Sequence, residues 1–201
     1  MSEVNFSFFM ILLLDSILVS NVVLAQYLGI CPFLGVSKKL SSALGMGLSV
    51  TVVLVLSVAV TWPVQTFLLD PAGLGYLQTL VFILIIAALV QLLEIVLKKK
   101  APALHKSLGI YLPLITTNCC VLGVAISCID RGYGFGTSLV YAAGSGLGFL
   151  LALVLFAGVR YRIDQADVPL YFRGLPSALI AASVMALAFM GFSGVAEGIF
   201  G

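Results

Sequence analysis

The sequence predicts an all-α integral membrane protein, with six transmembrane helices forming an inverted repeat of two three-helix units and the first and fourth spans discontinuous. Three observations carry this expectation. The 201-residue chain is 62% hydrophobic and only 9% charged, with a mean hydropathy of +1.22. Its apolar residues fall into long unbroken runs, not the alternating short strands of a β-barrel. Its two halves carry similar short segments in the same order. Soluble domains are nearer a quarter charged and need polar side chains on their surface, so the bilayer must be the solvent here. At about 20 apolar residues per span, the chain has room for about six spans and no sizeable soluble domain. Residues 1–201 are therefore read as a single membrane domain whose chemistry takes place inside the membrane. The net charge of +2 is too small to argue for nucleic acid.

The spans are placed near Phe6–Val36, Ala43–Leu69, Leu74–Leu97, Ala103–Cys128, Thr137–Val159 and Leu175–Val195. The first stretch, MSEVNFSFFMILLL, carries Glu3 where a secretory leader has a basic region, so a retained helix is expected. Charges orient the bundle. With both termini outward, the inner loops hold Lys38, Lys39, Lys98, Lys99, Lys100, Lys106, Arg160, Arg162 and Arg173, leaving only Arg131 of the ten basic residues outside. Glu3, Asp70, Asp130 and Glu197 are also external. The positive-inside rule favours this arrangement.

The repeat is read from two matches. CPFLGVS at 31–37 aligns with CCVLGVA at 119–125, and ALGMGLS at 43–49 with AAGSGLG at 142–148, the extra length of the second half being taken up around CIDRGYGFG. This gives one unit over residues 6–97 and a second over 103–195. Three spans are an odd number, so the second unit enters the membrane from the opposite side, and sites in such folds tend to lie where the repeats meet. Residues 8–36 would extend about 44 Å as one straight helix, well beyond about 30 Å of hydrocarbon. Gly29 and Pro32 flank Cys31 and are expected to break it. Pro113, ahead of Cys119, suggests a matching break in the fourth span, with its irregular backbone buried in protein.

Of four cysteines, none lies in a CxxC pair or at zinc spacing from His105, the only histidine. Buried free cysteine is an ordinary small hydrophobe, and that reading suits Cys120 and Cys128. Cys31 and Cys119 occupy equivalent repeat positions beside helix breaks, which also suits thiolate ligation of a cluster tuned by backbone N–H groups. A disulfide between them is the alternative. Two thiolates do not complete a four-cysteine iron–sulfur site, so a partner chain would supply the rest. Among other polar residues, Asp15 is a candidate for ion handling or for a hydrogen bond to a partner helix. Glu94 either handles ions or pairs with Lys98 one turn on. Asn21 and Gln91 also lie within or near spans, Asn118 is placed to orient a site, and the glycines at 45/47 and 144/146/148 suit close helix packing.

LGICPFLGVSKK (28–39), GIYLPLITTNCCVLGVA (109–125), ADVPLYFRG (166–174) and ALAFMGFSG (186–194) resemble the A subunits of Rnf electron-transport complexes, with the E subunits of sodium-translocating NADH:quinone reductases next. The likeness runs from about residue 16 to 195. It implies a six-helix subunit paired with a homologous sister chain of opposite topology (the Rnf E subunit) and working beside subunits B, C, D and G in the bacterial cytoplasmic (inner) membrane, both termini periplasmic. It further implies a [2Fe–2S] cluster shared between the sisters, two cysteines from each. The matching positions are Cys31 in GICPF and Cys119 in TTNCC; Cys120 departs from the family pattern, which has another residue there. The complex would couple electron transfer between ferredoxin and NAD(H) to Na⁺ or H⁺ translocation, with this chain not catalytic alone. No flavin or NAD is expected on it, since a glycine fingerprint would need a strand–turn–helix context. The alternatives are a small secondary transporter without redox chemistry, which the same repeats and buried acids suit, and a scaffold subunit.

Overall fold

The computed structural model describes residues 6–37, 40–73, 75–100, 115 and 117–200. Helices, turns and short irregular segments account for all of them, with no strand among the described residues. Among the described residues seven main helices follow in order: α1 (Phe6–Leu14), α2 (Ile30–Val36), α3 (Leu40–Val64), α4 (Gln78–Lys100), α5 (Cys119–Asp130), α6 (Phe135–Gln165) and α7 (Leu175–Phe200). Three stretches, Leu40–Leu69, Gly75–Ile95 and Phe135–Gln165, are long and apolar enough to cross a membrane; Phe8–Val19, Cys119–Asp130 and Leu175–Gly191 are shorter apolar helices. Pro113 and His105, with most of the first half of the predicted fourth span, lie outside the described residues, as do the side chain of Lys98 and with it the Glu94 pairing.

The first apolar run is broken, but not where Pro32 suggested. α1 passes into one wide turn over Asp15–Val19 and stops at Ser20; the chain is then irregular as far as Gly29. Cys31 is helical, and Pro32 is the third residue of α2. A first-turn proline gives up an N–H that has no partner within the helix anyway. The break is made by Asn21, which is fully buried. Its Nδ2 donates to Ile17 O and to Gly148 O, both at 2.9 Å, while its Oδ1 accepts from Val23 N at 3.1 Å and Leu24 N at 3.2 Å. All four hydrogen-bonding positions of the amide are used, so the irregular backbone costs little in an apolar interior.

α3 and α6 form the main interface of the bundle and run antiparallel. Gly47 lies against Leu150, Thr51 against Gly146, and Trp62 Nε1 donates to Tyr133 O at 2.9 Å, near the start of α6. Glycine sets the spacing. A Cβ on Gly146 would fall 2.8 Å from Thr51 Cα, and one on Gly148 would fall 3.1 Å from Asn21 Nδ2. Gly144 receives Ser16 in the same way. Gly45, expected to pack with Gly47, meets nothing within 4 Å. α5 packs on α3 and α4, and α7 on α6 and the wide turn after α1.

Gly146→Ala should destabilise the protein by about 1–3 kcal/mol, the usual range for overpacking a close contact, because the obstacle is the α3 backbone. Gly158→Ala, whose Cβ would meet nothing within 4 Å, should cost nothing. Thermal unfolding of the two variants in detergent checks the difference.

Candidate functional site

Asn118 starts α5. Its backbone is extended, at φ −73° and ψ 111°, and its Oδ1 accepts from Cys120 N at 3.1 Å, as an N-cap residue does. Cys119 is thereby the first residue of α5, and Cys31 is the second residue of α2. The two helix starts meet directly: Gly29 N donates to Cys119 Sγ at 3.0 Å. Cys31 lies two residues beyond Gly29, within about 7 Å of chain. Leu28 packs onto Gly123 of α5, so the contact between the two segments continues for a turn past the sulfur.

Gly29 can make this approach because it has no side chain. Its φ is +79°, a left-handed conformation that disfavours residues with a Cβ. A Cβ there would sit 3.0 Å from Phe149 Cε2, 3.1 Å from Cys120 Cβ and 3.2 Å from Asn118 Oδ1. Two residues earlier Tyr27, also at positive φ (58°), is exposed.

The four cysteines divide by exposure. Cys31 and Cys119 are exposed and free, while Cys120 and Cys128 are free and fully buried. Cys120 turns into the core beside Phe149 and Gly29, and Cys128 Sγ donates to Ser138 O at 3.9 Å. Asn118 itself is 4% exposed, and its Nδ2 has no partner. Among the described residues no three His, Cys, Asp or Glu side chains come together as a metal site. The chain thus offers two outward-facing thiols at neighbouring helix starts, with one backbone N–H already on a sulfur. That donor set suits a group held jointly with a second chain.

The acids give less. Asp15 Oδ2 accepts from Ser20 Oγ at 3.1 Å, an interaction within its own segment. Arg131 donates to Tyr133 Oη at 3.3 Å and lies 5.3 Å from the centre of the Tyr141 ring. Its pKa is raised, first by the Tyr133 hydroxyl and further by Tyr141 and Asp15, against the lowering effect of burial. One residue that sequence reasoning counted only as a loop charge proves structural: Arg160 is 7% exposed and bonds the far end of α2. The one hint was its position directly after the apolar run that ends at Val159.

The fold and site together define a multi-pass membrane protein that presents a thiol pair from two helix starts. The family described as "Rnf-Nqr subunit, membrane protein" matches residues 9–196, and the chain belongs to that family. It is 54% identical over 189 residues to the A subunit of the ion-translocating oxidoreductase complex of Syntrophotalea carbinolica, covering 94% of this chain and 98% of that one. Against the A subunit of the Na⁺-translocating ferredoxin:NAD⁺ oxidoreductase complex of Acetobacterium woodii it is 54% identical over 187 residues, 93% and 97% of the two chains. A third relative, the A subunit of the ion-translocating oxidoreductase complex of Azoarcus sp. strain BH72, is 55% identical over 186 residues, 92% and 96%.

Gly29→Ala should force a left-handed alanine, at about 1–2 kcal/mol, and push against Phe149 and Asn118 as well. The expected result is a lowered unfolding midpoint together with slower maleimide modification of Cys119 in chelator-treated membranes, since its sulfur loses the N–H that stabilises the nucleophilic, negatively charged form. An unchanged Cys119 labelling rate would show that this contact does not hold the thiol.

Proposed function

We propose that this chain is a membrane subunit of an Rnf-type, ion-translocating oxidoreductase complex. In it, electron transfer between ferredoxin and NAD(H) is coupled to movement of Na⁺ or H⁺, and Cys31 and Cys119 hold half of a [2Fe–2S] cluster shared with a homologous sister subunit. The observation that carries the reading is the division of the cysteines: Cys31 and Cys119 are exposed, with Gly29, two residues before Cys31, bonded to the Cys119 sulfur, and the other two are buried. Likeness to A subunits over more than nine-tenths of the chain supports the setting.

When bound, the cluster supplies a one-electron carrier inside a bilayer too thick for one fast transfer. This chain's own residues prepare its half of the site. Gly29 directs an N–H at the Cys119 sulfur, the type of contact that tunes cluster potential. Asn118 caps α5 and turns Cys120 inward, so that one thiol of the adjacent pair faces out. Because two thiolates leave the ligand set half filled, the sister chain is part of the proposal. The remaining subunits (B, C, D and G) carry the other cofactors in this reading, as the resemblance implies.

Six spans in two inverted units fit the packing. α2, carrying CPFLGVS, touches α6 of the second half through Phe33 and Arg160 as well as α3 of its own half, and α5, carrying CCVLGVA, lies along α3 of the first half. Each half-helix thus touches the long helix of the opposite unit, as is expected where inverted repeats meet. The charge distribution supports a setting in the bacterial cytoplasmic membrane with both termini periplasmic.

The complex purified from membranes should contain iron and acid-labile sulfide attributable to this pair of chains, with a paramagnetic signal on reduction. Cys31→Ser and Cys119→Ser should each abolish that signal, whereas Cys120→Ser and Cys128→Ser should retain it. A signal that survives both of the first two replacements would sink the cluster assignment and favour a transporter or scaffold role.

A further inference from the structure

α2 is only seven residues long, too short to be a stable helix by its own hydrogen bonds. Its position must come from what it lies on, and three successive contacts place it along α6. Gly29, just before α2, abuts Phe149. Phe33 stacks on Phe156 with ring centroids 4.3 Å apart and planes 21° from parallel. At the far end Arg160 Nη1 donates to Leu34 O at 2.7 Å and to Ser37 Oγ at 2.9 Å. The contacts advance in the same direction on both segments, so α2 runs parallel to α6, and Arg160 closes the series. Leu34 O is one of the terminal carbonyls left without an intrahelical partner, and a cation there is favourable. A guanidinium this deeply buried keeps a fixed orientation and is not a freely solvated surface charge.

From these contacts we propose that Arg160 is a positioning residue for Cys31. By tying the C-terminal end of α2 to α6, it fixes how far the helix start reaches toward Cys119, and so the geometry and potential of whatever the two thiols bind. The inference rests on the shared-cluster reading. A loosened α2 withdraws the Gly29 N–H from the Cys119 sulfur, and loss of the cation removes a positive charge about 9 Å along the helix from Cys31. Both effects disfavour the more negative, reduced state.

The test uses the intact complex carrying Arg160→Gln, Ser37→Ala or Arg162→Gln. Arg162 is exposed near the same end of α6 and serves as the charge-matched control. Arg160→Gln is expected to retain iron and sulfide but to alter the paramagnetic line shape. Its oxidised-to-reduced ratio at fixed ambient potential should rise about tenfold, equivalent to about 59 mV for one electron. Ser37→Ala, which keeps the cation and removes one acceptor, should shift the ratio in the same direction by less, and Arg162→Gln should change it less than twofold. Equal shifts in Arg160→Gln and Arg162→Gln, or an unaltered line shape in Arg160→Gln, would overturn the positioning role. Should Arg160→Gln fail to assemble, Ser37→Ala decides: a spectrum and ratio identical to the unsubstituted complex would overturn it. An unsubstituted complex with no signal, or one indifferent to Cys31→Ser, would overturn the cluster reading itself and this inference with it.

Discussion

The hydrogen bond from Asn21 to the carbonyl of Gly148 fixes the point from which the rest of the site is built. An unsatisfied backbone group in an apolar medium costs several kcal/mol, so a chain that leaves helical geometry inside the bundle must find partners for every N–H and C=O it frees. Asn21 accepts from two of the N–H groups through its oxygen and donates to two carbonyls through its nitrogen, one in the wide turn before it and one on α6. The second is reachable because residue 148 has no side chain. Glycine on α6 and asparagine after α1 are therefore one device. Together they let the first apolar run end short of the far side and resume as α2 at another angle.

Ending one helix and starting another in the interior creates a helix start, and a second start, at Asn118, faces it. The chemistry of the site follows from which atoms these starts expose. Cys119 and Cys120 are neighbours in sequence, yet successive residues on a helix point about 100° apart, so only one can face out while the other packs in the core. The Asn118 cap settles which, by fixing where α5 begins. Gly29 then brings a backbone donor onto the outward sulfur, which a residue with a Cβ could do only by displacing Phe149 or Asn118. The result is an exposed thiol with a donor already in place and, among the described residues, no third metal-binding side chain beside it.

The all-helical class was legible in the sequence, because composition rules out a soluble surface, and so was the burial of Cys120 and Cys128 as small hydrophobes. Asn118 was legible too, as a polar residue beside a candidate ligand. The first break was legible only at its far end, where Gly29, left-handed, precedes α2. Pro32 drew attention as a helix breaker, but a first-turn proline is compatible with a helix, and the break was made upstream by an asparagine that looked like one isolated polar residue in an apolar run. Gly45 and Gly47 read alike in sequence; only the rotation of α3 against α6 separates the one that packs from the one that does not. Arg160 was hidden by a sound rule. Counting it with Arg162 and Arg173 helps orient the bundle, but summing charges by loop discards the distinction between a solvated cation and one that has turned back onto a neighbouring helix.

That distinction matters for how the thiols are held. A seven-residue helix has unmet N–H groups at one end and unmet carbonyls at the other, and in α2 about half of the backbone groups belong to one of those sets. Gly29 and Arg160 act at these opposite ends, one donating toward α5 and the other donating from α6 to a terminal carbonyl. With Phe33 stacked between them on Phe156, α2 can neither slide along α6 nor rotate without losing contacts at both termini together. Movement of Cys31 relative to Cys119 is therefore coupled to the α6 interface as a whole, and α6 in turn packs on α1 and α3. A shift of α2 at Cys31 would therefore be felt along α6, and one of α5 at Cys119 along α3 and α4, so the two thiols are anchored to different long helices of the bundle.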